Sequence, residues 1–232
     1  NQGMICALPL LMQTALLRER DPVYAQMYDW TLAFIREFGT RVWNEEGVPG
    51  EGPGYGIGTV RMYVEALPPL AACTGVSVQE AIPSVMPAIM DYIQHCRSTW
   101  SDDRPRFVGF SDGSHNKWVS GEVLAFYANY LRHPVAQYFW DESCAANPPD
   151  NLTTLLVLGA GVEPAEPELP PAAVYRDQPM AFLRTGWQHG DTLLAMTNIR
   201  QVTGHGHPDR ASFVLEYNGE QLLLRSEEHT SE

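Results

Sequence analysis

The sequence predicts an α+β chain, with helices first and an antiparallel sheet after them. Three observations carry this. Apolar residues recur at helical spacing through the first two-thirds. A proline-rich stretch then interrupts them, and beyond it short alternating segments end in an Asn218-Gly219 hairpin signal. The chain has 232 residues, 44% hydrophobic and 10% aromatic, a composition that excludes disorder and collagen-like repeats.

The elements follow in order. Ile5 to Leu17, broken only by Pro9, Gln13 and Thr14, reads as a buried helix and is too short to span a bilayer. Asp21 as N-cap and Pro22 at the first helical position open a second helix. Its apolar face is Val23, Met27, Trp30, Phe34 and Phe38, and Gly39 is its stop. Ser77 and Glu80 make a capping box ahead of a helix over Ile82 to Cys96, which Pro83 and Pro87 delay or kink. Further helices fit Gly121 to Arg132 and Asn151 to Leu158. Long glycine-containing connections, Asn44 to Gly58 and Arg104 to Asn116, lie between them, where sites usually sit.

Gly161 to Pro179 holds five prolines and little periodicity, so residues 161–179 read as a linker after a helical part, 1–160. Strand patterns follow at Met180 to Trp187, Thr192 to Ile199, Ala211 to Tyr217 and Glu220 to Leu224. Residues 180–224 thus read as the start of an antiparallel β domain, cut off after about four strands. Residues 225–232, RSEEHTSE, resemble a translated sequencing adapter and are left out of the functional reading. The chain starts at Asn1 without an initiator Met, so a signal peptide is not testable from it.

Net charge is -13 with no run of Lys or Arg. Nucleic acid is therefore excluded as a partner, because phosphate binding needs a basic face. Local arginines can still attract an acidic ligand inside a cleft. Cys6, Cys73, Cys96 and Cys144 are scattered without a CxxC pair, which argues against a cysteine zinc site or a disulfide framework.

Three segments can carry chemistry. In Gly204-His205-Gly206-His207-Pro208-Asp209-Arg210, two histidines at i and i+2 on an extended segment face the same side. They suit proton transfer or zinc, or are two histidines of a polar turn. In Glu51-Gly52-Pro53-Gly54-Tyr55-Gly56, the Tyr55 phenol stands among Gly and Pro where a helix starts, as an acid or base, or as a packing residue. Glu45, Glu46 and Glu51 are acid/base partners or solvated loop charge. In Phe182-Leu183-Arg184-Thr185-Gly186-Trp187, alternation puts Arg184 on a face with Phe182, toward a cleft or a neighbouring acid.

Taken together, NEEGVPGEGPGYG, FLRTGW and GHGHPDRASFVLEYNGEQLLL resemble the heparinase II/III-like polysaccharide lyases, a group with heparin, heparan and alginate lyases. The resemblance implies an incomplete (α/α) toroid followed by antiparallel β-sheet (β-sandwich) domains. It implies Tyr55 and His205 as catalytic residues and His207 as a zinc ligand. By the family's spacing, Asn1, with Gln2 as fallback, neutralises the uronate carboxylate. A further Asp ligand would fall at about Arg225, where the tail begins, so the zinc ligand set is incomplete. Glu51, Arg61, His115 and Arg184 are the expected substrate-binding residues, against surface salt bridges and loop capping. The implied location is periplasmic or secreted, and the implied partner an acidic polysaccharide.

The expected reaction is β-elimination on a uronate glycan. The proton beside the carboxylate is weakly acidic, so the developing anion needs an amide or cation against it. His205 or Tyr55 removes the proton, and Tyr55 protonates the leaving oxygen. Two rivals stand beside this reading. An α-toroid glycoside hydrolase would use paired carboxylates such as Glu51 and Asp112. A non-catalytic glycan-binding protein would be insensitive to Tyr55→Phe.

Overall fold

The computed structural model describes residues 2–100, 105–111, 118–144, 157–159, 161–198 and 210–224. Seven helices precede five strands among them: α1 (Gln2–Leu17), α2 (Pro22–Arg41), α3 (Gly52–Thr74), α4 (Val78–Ala81), α5 (Met86–His95), α6 (Gly121–Tyr130), α7 (Pro134–Ser143), β1 (Ala172–Tyr175), β2 (Met180–Arg184), β3 (Leu193–Thr197), β4 (Ser212–Tyr217) and β5 (Glu220–Leu223). They form two compact units that interleave in sequence. The first comprises Asn1–Gly47, Gly58–Ala88 and Ser120–Glu166; the second Val48–Ile57, Ile89–Val119 and Pro167–Glu232.

In the first unit α1 packs on α2. Only one face of α1 is buried, through Met4, Ala7, Leu11 and Thr14, while Ile5 and Leu16 are exposed. The helix expected to be buried is thus buried on one side alone. The face of α2 is corrected too. Tyr28, Thr31, Ile35 and Gly39 are buried, whereas Val23, Met27 and Trp30 of the apolar stripe are exposed. Polar atoms on the buried face are satisfied: Thr31 Oγ1 donates to Met27 O at 2.7 Å, and Tyr28 Oη donates to Cys73 O at 2.9 Å. Gly39 has no Cβ because the Tyr63 ring occupies that space. With Tyr28 against Cys73 and Gly39 against Tyr63, α2 and α3 run antiparallel. The buried Tyr63 phenol is pushed up to about 12 by desolvation.

Helix α3 runs through Pro68 and Pro69. Each proline removes a backbone donor. Val60, Tyr63, Val64, Leu67 and Leu70, all buried, offset that loss. Ser77 caps α4 in a complete capping box with Glu80. The helix read over Ile82 to Cys96 starts late, at Met86, because Ile82 is extended before Pro83. Helix α6 is buried from Gly121 to Ala128, which makes it the core helix of this unit. Tyr127 Oη donates to Met86 O at 2.8 Å. The helix expected at Asn151 to Leu158 lies almost wholly outside the described residues.

In the second unit the sheet is an antiparallel meander in the order β1-β2-β3-β4-β5. β1 falls inside the proline-rich stretch, where four residues, AAVY, offer too little alternation to be read as a strand. The β4–β5 turn at Asn218-Gly219 has φ values of 51 and 78°, as a two-residue hairpin of the type I′ class requires. One sheet face is buried through Met180, Phe182, Arg184, Leu193, Ala195, Thr197, Val214 and Glu216. The other leaves Val174, Leu183, Met196 and Phe213 exposed.

Candidate functional site

Tyr55 stands in the first turn of α3, half-buried. The glycines around it explain why a helix starts in a segment that reads as a loop. Gly52 has φ +77, a left-handed turn that favours glycine, and its N–H donates to Pro49 O at 3.4 Å. A Cβ on Gly52 would lie 2.7 Å from Ser111 Oγ, and one on Gly56 would collide with the Pro49 ring. Both segments thus close on the turn that carries Tyr55. Ser111 is itself buried with φ 55, a conformation costing on the order of 1 kcal/mol for a residue with a side chain. Glu51 is half-buried just before this turn.

A second cluster in the same unit joins the sheet to the end of α5. Register places Arg184, Leu193 and Glu216 in one row across β2, β3 and β4. Arg184 Nη2 donates to His95 O at 2.7 Å and to Arg97 O at 3.1 Å, taking carbonyls that the helix end leaves unpaired. Glu216, 1% exposed, accepts from Ser98 Oγ at 2.6 Å, Thr99 N at 2.7 Å and Thr99 Oγ1 at 3.2 Å. The Arg184 guanidinium lies 4.1 Å above the Trp187 ring. Burial lowers its pKa to about 10, so it stays charged at neutral pH. His95 sits among Tyr175, Phe182 and Trp187. Burial, then the Arg184 charge, lowers its pKa to about 4.

The structure therefore puts Arg184 at 7% exposure, bonded to backbone carbonyls, and substrate contact through it would require this cluster to open. Arg61 lies in the first unit, on α3. Its Nε meets Glu65 Oε1 at 2.8 Å and its Nη2 meets Glu122 Oε1 at 3.4 Å. The hydrogen bond to Glu65 raises its pKa, so its charge is already matched by two acids. Asn1, Asp112, His115, His205 and His207 lie outside the described residues, and Gln2 is the first residue of α1. Among the described residues no group of three or more His, Cys, Asp or Glu could hold a metal. No described helix is long and apolar enough to cross a membrane.

Sequence reasoning missed Glu216, His95 and the Ser98-Thr99 pair. The signal for Glu216 was present, since Val214 and Glu216 alternate on one face of SFVLEY. An acid in phase with core residues is a buried acid with partners.

Against solved structures the chain resembles heparinase III, with a TM-score of 0.58 and 16% identity over 91% of this chain and 32% of that one. It resembles the heparan sulfate lyase HepC from Pedobacter heparinus, with a TM-score of 0.59 and 16% identity over 94% of this chain and 31% of that one. A further heparinase III structure aligns with a TM-score of 0.59 and 17% identity over 95% and 32%. The fold is heparinase-like. No family profile and no curated protein sequence matches the chain. The chain spans about a third of the length of these heparinase structures, and at such identities the likeness is one of fold.

Proposed function

We propose that the protein from which this chain comes is a polysaccharide lyase that cleaves a uronic-acid-containing glycan by β-elimination. The observation that carries the reading is Tyr55 in the first turn of α3, clamped by Gly52 and Gly56, within a heparinase-like fold. A phenol held on a fixed turn and partly open to solvent can give a proton to a departing glycosidic oxygen. In this scheme His205 removes the proton beside the carboxylate, or Tyr55 does both when proton and leaving group share a face. Asn1, or Gln2, lies against the carboxylate and stabilises the developing anion. Electrons from the broken C–H bond form the new double bond, and the glycosidic C–O bond breaks without water. Glu51, Arg61 and His115 are the proposed substrate contacts, and Arg184 joins them where the cluster around it opens.

The helical part is read as part of an (α/α) toroid and the sheet as part of a β-sandwich. His207 is proposed as a zinc ligand from its motif. A polymer of this kind is met outside the cytoplasm, so a periplasmic or secreted location is proposed.

Incubation with a panel of polyuronates tests the reading. Ultraviolet absorbance from an unsaturated uronate is the expected result and names the substrate. Reducing ends without that absorbance would replace the lyase with a hydrolase. Binding without either product would leave a glycan-binding protein.

A further inference from the structure

A cavity of ≈ 370 Å³ opens in the first unit between the end of α2 and the Pro83 break. Its lining includes Thr40, Trp43, Asn44, Glu45, Pro83 and Ser84. The break is what makes one wall: Ile82 is extended before Pro83, so Ser84 stands outside any helix. The other wall is Trp43, 4% exposed and wedged edge-on against Tyr63 at 5.5 Å and Phe38 at 6.3 Å. Trp43 Nε1 is a buried donor with no acceptor among the described residues, and a ligand oxygen that reached it from the cavity would satisfy it. Hydroxyl, amide and indole groups around apolar Pro83 and Val85 match a pyranose, which offers hydroxyls on its rim and C–H groups on its faces. The one charged side chain among the described lining residues is the Glu45 carboxylate. An acid there disfavours a second carboxylate.

We propose that this cavity, walled by Trp43, Thr40, Asn44 and Ser84, binds an uncharged pyranose residue and discriminates against a uronate. The sugar class rests on the glycan reading above; the cavity itself owes nothing to elimination chemistry. The protein would then take a glycan in which uncharged sugars accompany uronates, because a homopolymer of uronates has nothing to place here.

The test follows the indole N–H resonance of Trp43, identified by its loss in Trp43→Phe, during separate titrations with glucose, N-acetylglucosamine and glucuronate. A saturable shift with at least one uncharged sugar is expected, with glucuronate about tenfold weaker or more. Ser84→Trp fills the mouth from an exposed loop position and is expected to abolish the shift while leaving the rest of the spectrum in place. The proposal is overturned if neither uncharged sugar moves the resonance up to about 0.1 M. Equal affinity for glucuronate, or a shift that survives Ser84→Trp, overturns it equally. A failed lyase assay would not alter this titration, and a failed titration would not alter the absorbance assay.

Discussion

Glu216 illustrates how one residue ties the sheet to the helical chain. While buried, its carboxylate accepts from Ser98 Oγ and Thr99 N, whereas the Thr99 hydroxyl, 3.2 Å away, has a shorter contact, 2.7 Å, with Asp191 O. Removing it would strand those donors, at about 1–3 kcal/mol per unsatisfied group. Glu216→Ala is therefore expected to lower unfolding stability by about 3 kcal/mol or more. Glu216→Gln, which keeps an acceptor oxygen, should cost less, and urea midpoints measured side by side would rank the two. A midpoint unchanged in Glu216→Ala would contradict the clamp. His95 adds a pH dependence. Its folded pKa, about 4, lies below the unfolded value, so the unfolded chain binds the proton more readily. Stability is then fully present above about pH 6.5 and lost as pH falls through 4, by on the order of 3 kcal/mol. Melting curves across that window should flatten in His95→Phe, which keeps the ring contacts without the proton. Glu216 is marked in one dimension only by its phase with Val214, and His95 not at all. His95 acquires its environment only when β1 and β2 bring Tyr175 and Phe182 beside it.

At the scale of elements, local chemistry was legible where it is local. The Ser77–Glu80 capping box and the Asn218-Gly219 hairpin need only neighbouring residues, and both are present. A helix start near Tyr55 was legible, but the inclusion of residues 52–58 in α3 was not, because glycines at 52, 54, 56 and 58 argue against a helix. Two of them are there for close approach by Ser111 and Pro49, which no local pattern reveals. The α2 face was misread for a similar reason: Thr31 and Gly39 carry little hydropathy but are buried, Gly39 against Tyr63 of α3. Gly52→Ala is expected to destabilise by about 2 kcal/mol, from its positive φ together with the Ser111 contact. If Tyr55 works from this turn, the same change should also lower turnover. Ser77→Ala should cost about 1 kcal/mol, with no effect on turnover. Thermal unfolding and product absorbance on the same samples separate the two effects.

For the whole molecule, the order of helices before an antiparallel sheet was readable from periodicity, whereas the interleaving of two units was not. Helices α3 and α5 each supply residues to both units, so no composition change marks that division. Each unit also shows apolar surface. Trp30, Val23 and Met27 are exposed on α2, and Val174, Leu183, Met196 and Phe213 on the sheet. Contiguous faces of this kind bind hydrophobic dyes and promote association. The 232-residue chain is expected to bind such a dye, and Met196→Thr with Phe213→Thr should reduce the signal without lowering the melting temperature. Dye binding unaffected by that pair would place the sticky surface elsewhere.

The central claim is that Tyr55 transfers a proton in an elimination reaction, and one comparison tests it most directly. The parent protein and its Tyr55→Phe variant would be assayed by ultraviolet absorbance on the polyuronate that the panel identifies, with matched melting temperatures confirming that both are folded. The account predicts a loss of kcat of about 10²–10⁴ fold, the range for removing a positioned acid or base. A folded Tyr55→Phe protein that forms unsaturated product at the parental rate would contradict it.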